Sequence, residues 1–348
     1  LRGGFTCITN FAVMNREKTE AIHRAAKEVG IRLISCTGSA LPVDGVTWPD
    51  DFNISKAIEK GLKRAEHLIS TCKTEPMITP SVCVPAVQGA PGELMRGLSN
   101  FCAENDIVFQ IHTNEHHAEV HWSVATHGMR PLEYFEKYDA LGPHTLHHHC
   151  TLVTEQEIEL LRETKSGVSY NPVASAWKGD RVAPALAFAA RGVRFGIGTD
   201  STRSDAFRLL DSAETVQRIS QGMQLADFSS GAAWTWIDAA TRGSADVSGL
   251  RQVTGELRPG LRADFLVLDR NAPEVIPSWD FEWELVRLYN RDQIESVIVD
   301  GRTVMEKQQP VGWDAFAFLK AQETRAYEMV RNAPIIRRHG PASDVKRK

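Results

Sequence analysis

The chain of 348 residues is 42% hydrophobic and 24% charged, with a net charge of -4, which is enough for one large and one small folded unit. Lysine and arginine are scattered among acids apart from Arg337-Arg338 and Lys346-Arg347-Lys348, so no basic stripe meets a phosphate backbone and nucleic acid is excluded as a partner. No stretch reaches the roughly 18 to 20 apolar residues of a membrane span or has the pattern of a signal sequence, and six cysteines without CxxC spacing read as free thiols of a reducing, cytoplasmic setting.

Apolar runs suited to buried parallel strands follow in chain order at Phe5 to Phe11, Ile31 to Cys36, Met77 to Val84, Ile107 to His112, Thr145 to Cys150, Gly167 to Asn171 and Val193 to Thr199. Helical periodicity fills intervals between them, at Arg16 to Val29, Pro91 to Glu104, His116 to His127 and Glu155 to Thr164. This β-α alternation predicts an α/β fold, a TIM-like (β/α)8 barrel over residues 1–250. Seven strand candidates are present where a closed barrel needs eight, so the first strand is expected to be missing. Thr154 and Glu157 have capping-box spacing ahead of Ile158, Leu160 and Leu161, which places His149 at a strand-to-helix junction.

Past residue 250 the texture changes. Gly255 to Gly260, Ala263 to Asp269 and Ser296 to Arg302 read as strands and turns without helices between them, a small β-sandwich segment over 251–312. Residues 313–348 then form a helix and tail. Phe316, Leu319, Tyr327 and Val330 share one stripe of a helix over Trp313 to Val330, and the end from Pro334 is polar.

Three strand ends carry candidate chemistry: Ile111-His112-Thr113-Asn114-Glu115, His147-His148-His149-Cys150, and Gly196-Ile197-Gly198-Thr199-Asp200. Strand alternation groups His112 with Gln110 and His149 with His147, leaving His148 to point toward the helices. Imidazole and carboxylate donors suit one divalent ion, Zn²⁺ or Fe²⁺, with His112 and Asp200 as metal ligands. Glu115, three residues past His112, is placed to move a proton without being a ligand.

The stretches His112-Thr-Asn-Glu115, His127-Gly-Met-Arg-Pro-Leu-Glu-Tyr134, Leu141-Gly-Pro143, His149-Cys150, Asn171-Pro172, Gly198-Thr-Asp200 and Thr254 to Asp264 resemble the amidohydrolase superfamily. They are most similar to its aminohydrolase and chlorohydrolase branch, which includes S-adenosylhomocysteine, guanine and triazine hydrolases. The resemblance covers nearly the whole chain. It implies that His112 ends the fifth barrel strand as a metal ligand and that Asp200 ends the eighth as ligand and proton acceptor. It also implies that His149 ends the sixth and polarises the attacking water, and that Glu115 protonates the substrate nitrogen. The implied reaction is attack of metal-bound hydroxide on an amino-substituted nitrogen heterocycle, with deamination as the outcome. Dechlorination or cyclic-amide hydrolysis by the same chemistry, or a non-catalytic barrel, are the alternatives. Homo-oligomerisation is implied as well.

Two departures stand out. The family opens its barrel with a strand ending His-x-His, which supplies two more metal ligands, and no such motif precedes Gly3-Gly4-Phe5-Thr6, so the metal site is expected to be incomplete in this sequence and the chain to be N-terminally truncated. Where nucleoside deaminases end their fourth strand in a histidine, this sequence reads Pro80-Ser-Val-Cys83-Val-Pro85. Tyr170, Asn171, Trp177 with its neighbour Lys178, and Arg203 are candidate substrate contacts. His147 and His148 are expected to pack locally, His121 to face solvent, and Trp234 and Trp236 to fill the core.

Overall fold

The computed structural model describes residues 1–11, 16–38, 53–89, 91–179, 181–200, 204–227, 229 and 231–331. The first half alternates strand and helix: β1 (Cys7–Thr9), α1 (Arg16–Val29), β2 (Arg32–Gly38), α2 (Ile54–Cys72), β3 (Ile78–Val84), α3 (Gly92–Glu104), β4 (Val108–Thr113), α4 (His117–His127), α5 (Pro131–Lys137), β5 (Thr145–His149) and α6 (Glu155–Thr164). The alternation continues through β6 (Gly167–Tyr170), α7 (Pro172–Lys178), α8 (Ala185–Arg191), β7 (Arg194–Ile197) and α9 (Ala206–Gln217). The seven strands pair in parallel and in sequence order, β1 to β7. The predicted capping box is present, with Thr154 Oγ1 accepting from Glu157 N at 3.2 Å and Glu157 Oε2 accepting from Thr154 N at 2.9 Å.

The sheet curls into an incomplete barrel around an internal plug. After α10 (Met223–Leu225) and α11 (Ala233–Asp238), α12 (Ser244–Val247) and Leu250 enter the curl. Ala245 and Leu250 pack on Ile34 and Cys7, while Val247 packs on Val108 and Leu146. The room for the plug is written into β7: a Cβ on Gly196 would lie 2.6 Å from Ser244 Cα, so a side chain there is excluded. Arg194 locks the plug, its Nε 2.6 Å from Asp246 Oδ2 and its Nη2 3.1 Å from Asp246 O. Because Cys7, Val108 and Gly167 begin their strands, the plug closes the N-terminal end of the barrel. The C-terminal strand ends are left for the site.

The smaller sheet is antiparallel, in the order β11 (Gln309–Pro310), β10 (Arg302–Glu306), β9 (Ile294–Val299), β8 (Phe265–Leu268). Contrary to the sequence expectation, a helix interrupts this region. α13 (Phe281–Arg287) lies between β8 and β9 and packs against α9 and α11, burying Val286 and Tyr289. Its Asp280 cap, accepting from Trp283 N at 3.0 Å, is the sequence signal that strand-and-turn reading passed over. Ile294, Val297, Val299 and Met305 belong to the same apolar cluster as the barrel helices. A buried bidentate pair fastens sheet to barrel: Arg32 Nε and Nη2 donate to Asp264 at 2.9 and 3.0 Å. The last helix, α14 (Ala315–Arg331), forms as expected but buries none of its residues; Phe316, Leu319, Tyr327 and Val330 are all exposed. Trp236 fills the core, whereas Trp234 is 56% exposed. Among the described residues no helix is long and apolar enough to cross a membrane.

Candidate functional site

His112, Glu115 and His149 converge at the ends of β4 and β5, with one ligand atom from each lying within 4.8 Å of the others. Register explains half of this. His112 pairs with His148 across the two strands, so both face the barrel interior; their rings are 5.3 Å apart and His148 Nε2 is 3.1 Å from Gln110 Oε1. His147 faces outward, its ring stacked on Phe135 at 5.9 Å and its Nδ1 2.8 Å from Thr113 Oγ1. The expected grouping of His149 with His147, and of His148 with the helices, is therefore wrong.

The reason is backbone. His149 and the following Cys150 take the left-handed conformation, with φ of 74° and 51°. For residues with a Cβ this costs of order 1–3 kcal/mol each. The turn breaks the alternation of β5 and brings the His149 ring over His112, 5.4 Å between centroids at 24°. Surrounding bonds hold the strain: Cys150 N donates to Thr113 O at 3.0 Å and Leu152 N to Asn114 O at 2.9 Å. Asn114, also left-handed, donates from its side chain to Glu157 at 2.8 Å, and Arg130 holds the other oxygen of Glu157 at 2.9 Å. Glu119 accepts from the backbone N–H groups of Asn114 and Glu115 at 3.0 and 2.8 Å, fixing the turn that carries Glu115; burial pushes its carboxyl up to about 7.

Each imidazole is oriented from behind. His112 Nδ1 is 2.9 Å from Pro85 O, so Nδ1 carries the proton and Nε2 is left as a lone-pair donor. Asn171 Oδ1 accepts from Ser169 at 2.9 Å, which turns its amide N–H toward His149 Nδ1 at 3.4 Å. His149 Nε2 then faces Glu115 Oε1 at 3.4 Å and Asp200 Oδ2 at 3.8 Å. Gly198 makes room for this support, because a Cβ there would fall 2.1 Å from Asn171 Oδ1. Burial lowers His112 and lowers His149 to about 4, so both rings are neutral at pH 7.

Lys178, the last residue of α7, closes the cluster. Its ammonium bonds Glu115 Oε1 and lies 2.9 Å from Asp200 Oδ2. Burial pushes Glu115 up, but His149, the Lys178 hydrogen bond and His116, whose Nε2 is 3.2 Å away, together hold it below the usual carboxylate value. Burial likewise works against the Lys178 charge, and its two carboxylate partners outweigh it, raising the amine.

The structure thus brings together His112, Glu115, His149 and Asp200. Asp200 is not the cap of the following helix, a role taken by Asp205, which accepts from Arg208 N at 3.2 Å. Of the candidate substrate contacts, Asn171 is buried and touches His149. Tyr170 points the other way: it is fully buried, its hydroxyl donating to Ala213 O at 3.2 Å and accepting from Gln217 at 3.0 Å, which makes it core. Trp177 is 78% exposed, and Arg203 lies outside the described residues. Lys178 and Glu119 were the residues whose importance sequence reasoning underrated. Glu119, early in the helix after Glu115, had a cap-like position that could have revealed it.

The amidohydrolase family profile matches residues 1–304. A 5-methylthioadenosine/S-adenosylhomocysteine deaminase from Syntrophobacter fumaroxidans is 30% identical over 72% of this chain and 57% of its own length. A 5'-deoxyadenosine deaminase from Methanothermobacter thermautotrophicus is 26% identical over 82% of this chain and 64% of its own length. The chain therefore spans somewhat under two thirds of these two relatives. Among solved structures, a zinc-containing adenosine deaminase from Xanthomonas campestris superposes with a TM-score of 0.84 at 23% identity, over 95% of this chain and 73% of the other. Atrazine chlorohydrolase from Arthrobacter aurescens, complexed with zinc, gives 0.80 at 20% identity, over 92% and 73%. Strand order, site position and the profile match over most of the chain agree: this protein belongs to the amidohydrolase family.

Proposed function

We propose that the protein is a metal-dependent hydrolase that deaminates an amino-substituted nitrogen heterocycle, with the adenine nucleosides named for its relatives as the first class to test. The observation that carries this reading is the convergence of His112, Glu115, His149 and Asp200 at the C-terminal ends of the strands. The donors fit a divalent ion: His112 Nε2 is an unprotonated imidazole nitrogen, and the carboxylates of Glu115 and Asp200 flank His149. His112 and Asp200 are assigned as ligands, and zinc as the metal, on the strength of the zinc in the related structures.

When bound, such an ion makes water a competent nucleophile near neutral pH. The chain's own residues do the rest. Neutral His149, with Asn171 at Nδ1, presents Nε2 toward the space between Glu115 and Asp200 and orients the attacking water there. Glu115, ionised at pH 7, accepts a proton and returns it to the departing nitrogen. Overall, one water is consumed, the bond between a ring carbon and its exocyclic amino nitrogen breaks, and a ring carbonyl and ammonia are formed.

The test is ammonia release by the zinc-loaded protein from adenine nucleosides and guanine, with chloride release from a chlorotriazine in parallel. The expected result is ammonia from at least one amino-substituted ring and a fall in kcat of roughly 10²-fold or more for Glu115→Gln. Chloride release without ammonia would instead support the dechlorinating reading. Undiminished turnover in Glu115→Gln contradicts the assigned role.

A further inference from the structure

We propose that Lys178 is a built-in competitor of the metal, an ammonium that claims the same carboxylate oxygens as a divalent ion and is displaced toward solvent when the site fills. This rests on the metal-site reading above. The geometry behind it is shared acceptors. Lys178 Nζ bonds Glu115 Oε1 and is 2.9 Å from Asp200 Oδ2. His149 Nε2 is 3.4 and 3.8 Å from those same two oxygens. A divalent ion ligated by Asp200 Oδ2 among these groups approaches the oxygen that the ammonium already holds, and the two cations repel each other there.

The chain delivers this lysine from the short helix that follows β6. Asn171, whose amide meets His149, leads straight into α7 at Pro172, and one short helix later Lys178 returns to the same cluster. Gly179, left-handed at φ 76°, ends the helix directly after it. The Lys178 side chain is 26% exposed, against 13% for Glu115 and 22% for Asp200, so of the three it has the most open path to water. Lysine suits such a role: it binds as a point charge on a flexible four-carbon stem and lacks the fixed fork that would lock an arginine in place. A side chain that blocks the site for nine-tenths of the time weakens apparent metal affinity by about tenfold. The residue would then set how much free metal the protein requires.

The experiment uses the full chain, wild type, Lys178→Met and Lys178→Gln, each checked for folding by thermal melting. Zinc affinity is measured by competition with a chromophoric chelator. Acylation of Lys178 by a succinimidyl ester is followed by peptide mass spectrometry with and without zinc. The expected result is zinc bound about tenfold more tightly by both variants, and Lys178 acylated several-fold faster in the zinc-loaded wild type. Equal zinc affinity in all three proteins overturns this proposal and leaves the metal site standing. Tighter binding with unchanged acylation also overturns it, since the lysine would then act by charge alone without leaving. Zinc bound by none of the three removes the metal site and this proposal together.

Discussion

Asp264→Ala should be among the most damaging single substitutions in the protein, although Asp264 is remote from the strand-end cluster. The Arg32 and Asp264 side chains are 2% and 1% exposed. The carboxylate accepts from Arg32 Nε and Nη2 at 2.9 and 3.0 Å, from Asp300 N at 2.7 Å, and from the Thr254 side chain. Removing it leaves a buried guanidinium facing the Asp300 carboxylate 3.9 Å away and frees the part-buried Asp300 N–H. Breaking one side of such a pair costs about 3–5 kcal/mol, which for a chain of this size lowers Tm by roughly 4–7 °C. Burial alone would raise the Asp264 carboxyl, but Arg32 and the backbone donor hold it below its ordinary value. The unfolded chain therefore takes up this proton first as pH falls. The stabilisation is fully present above about pH 4, the unfolded value, and is lost as pH drops through the lower folded value. Differential scanning calorimetry at pH 7 and in steps to pH 3 reads both effects. Wild type and variant should differ most at pH 7 and converge in acid. A Tm within 1 °C of wild type, set against the ~4–7 °C expected, would refute the claim that this pair fastens the small sheet to the barrel.

Other outcomes follow from the same geometry. Gly198→Ala drives a Cβ into Asn171 and so releases His149 from behind; kcat should fall by about 10²-fold with zinc content retained, as steady-state kinetics and elemental analysis can show. His147→Leu should cost about 1–3 kcal/mol through the stranded Thr113 hydroxyl and leave zinc binding and turnover intact, whereas His149→Leu should abolish turnover; equal loss in both contradicts the orientations described. All six cysteines are free, five of them buried, and burial raises Cys72 to about 11 and Cys7 to about 12. Ellman's reagent should accordingly react with few thiols in the native protein and with all six after denaturation.

Much of this fold can be read from residue pattern because long, buried, parallel strands write themselves as apolar runs. The helix over Arg16–Val29 and the Thr154–Glu157 cap are local features and appear where the pattern puts them. The site is half legible for the same reason: His112 and His149 lie at the ends of β4 and β5, and Glu115 and Asp200 fall just past the ends of β4 and β7. What pattern cannot show is a departure from regular backbone. His149 reaches the site only because φ turns positive at a residue with no glycine or asparagine to announce it, which also reversed the reading of His148. The pairing of Lys178 with Glu115 and Asp200 is not legible in the sequence, because a lysine at the end of a short helix carries no periodic signal and its partners lie 63 and 22 residues away. α13 was missed because its apolar face, with Val286 buried, is completed by α9 and α11 and is too short to stand out alone.

The central claim is that His112, Asp200 and their neighbours form a metal centre, and zinc stoichiometry in the purified protein tests it most directly. Elemental analysis of wild type, His112→Ala and Asp200→Asn, each confirmed folded by calorimetry, should find about one ion per chain in the first and a small fraction of that in the others. The same metal content in all three, or none in wild type after exposure to zinc, would contradict the account.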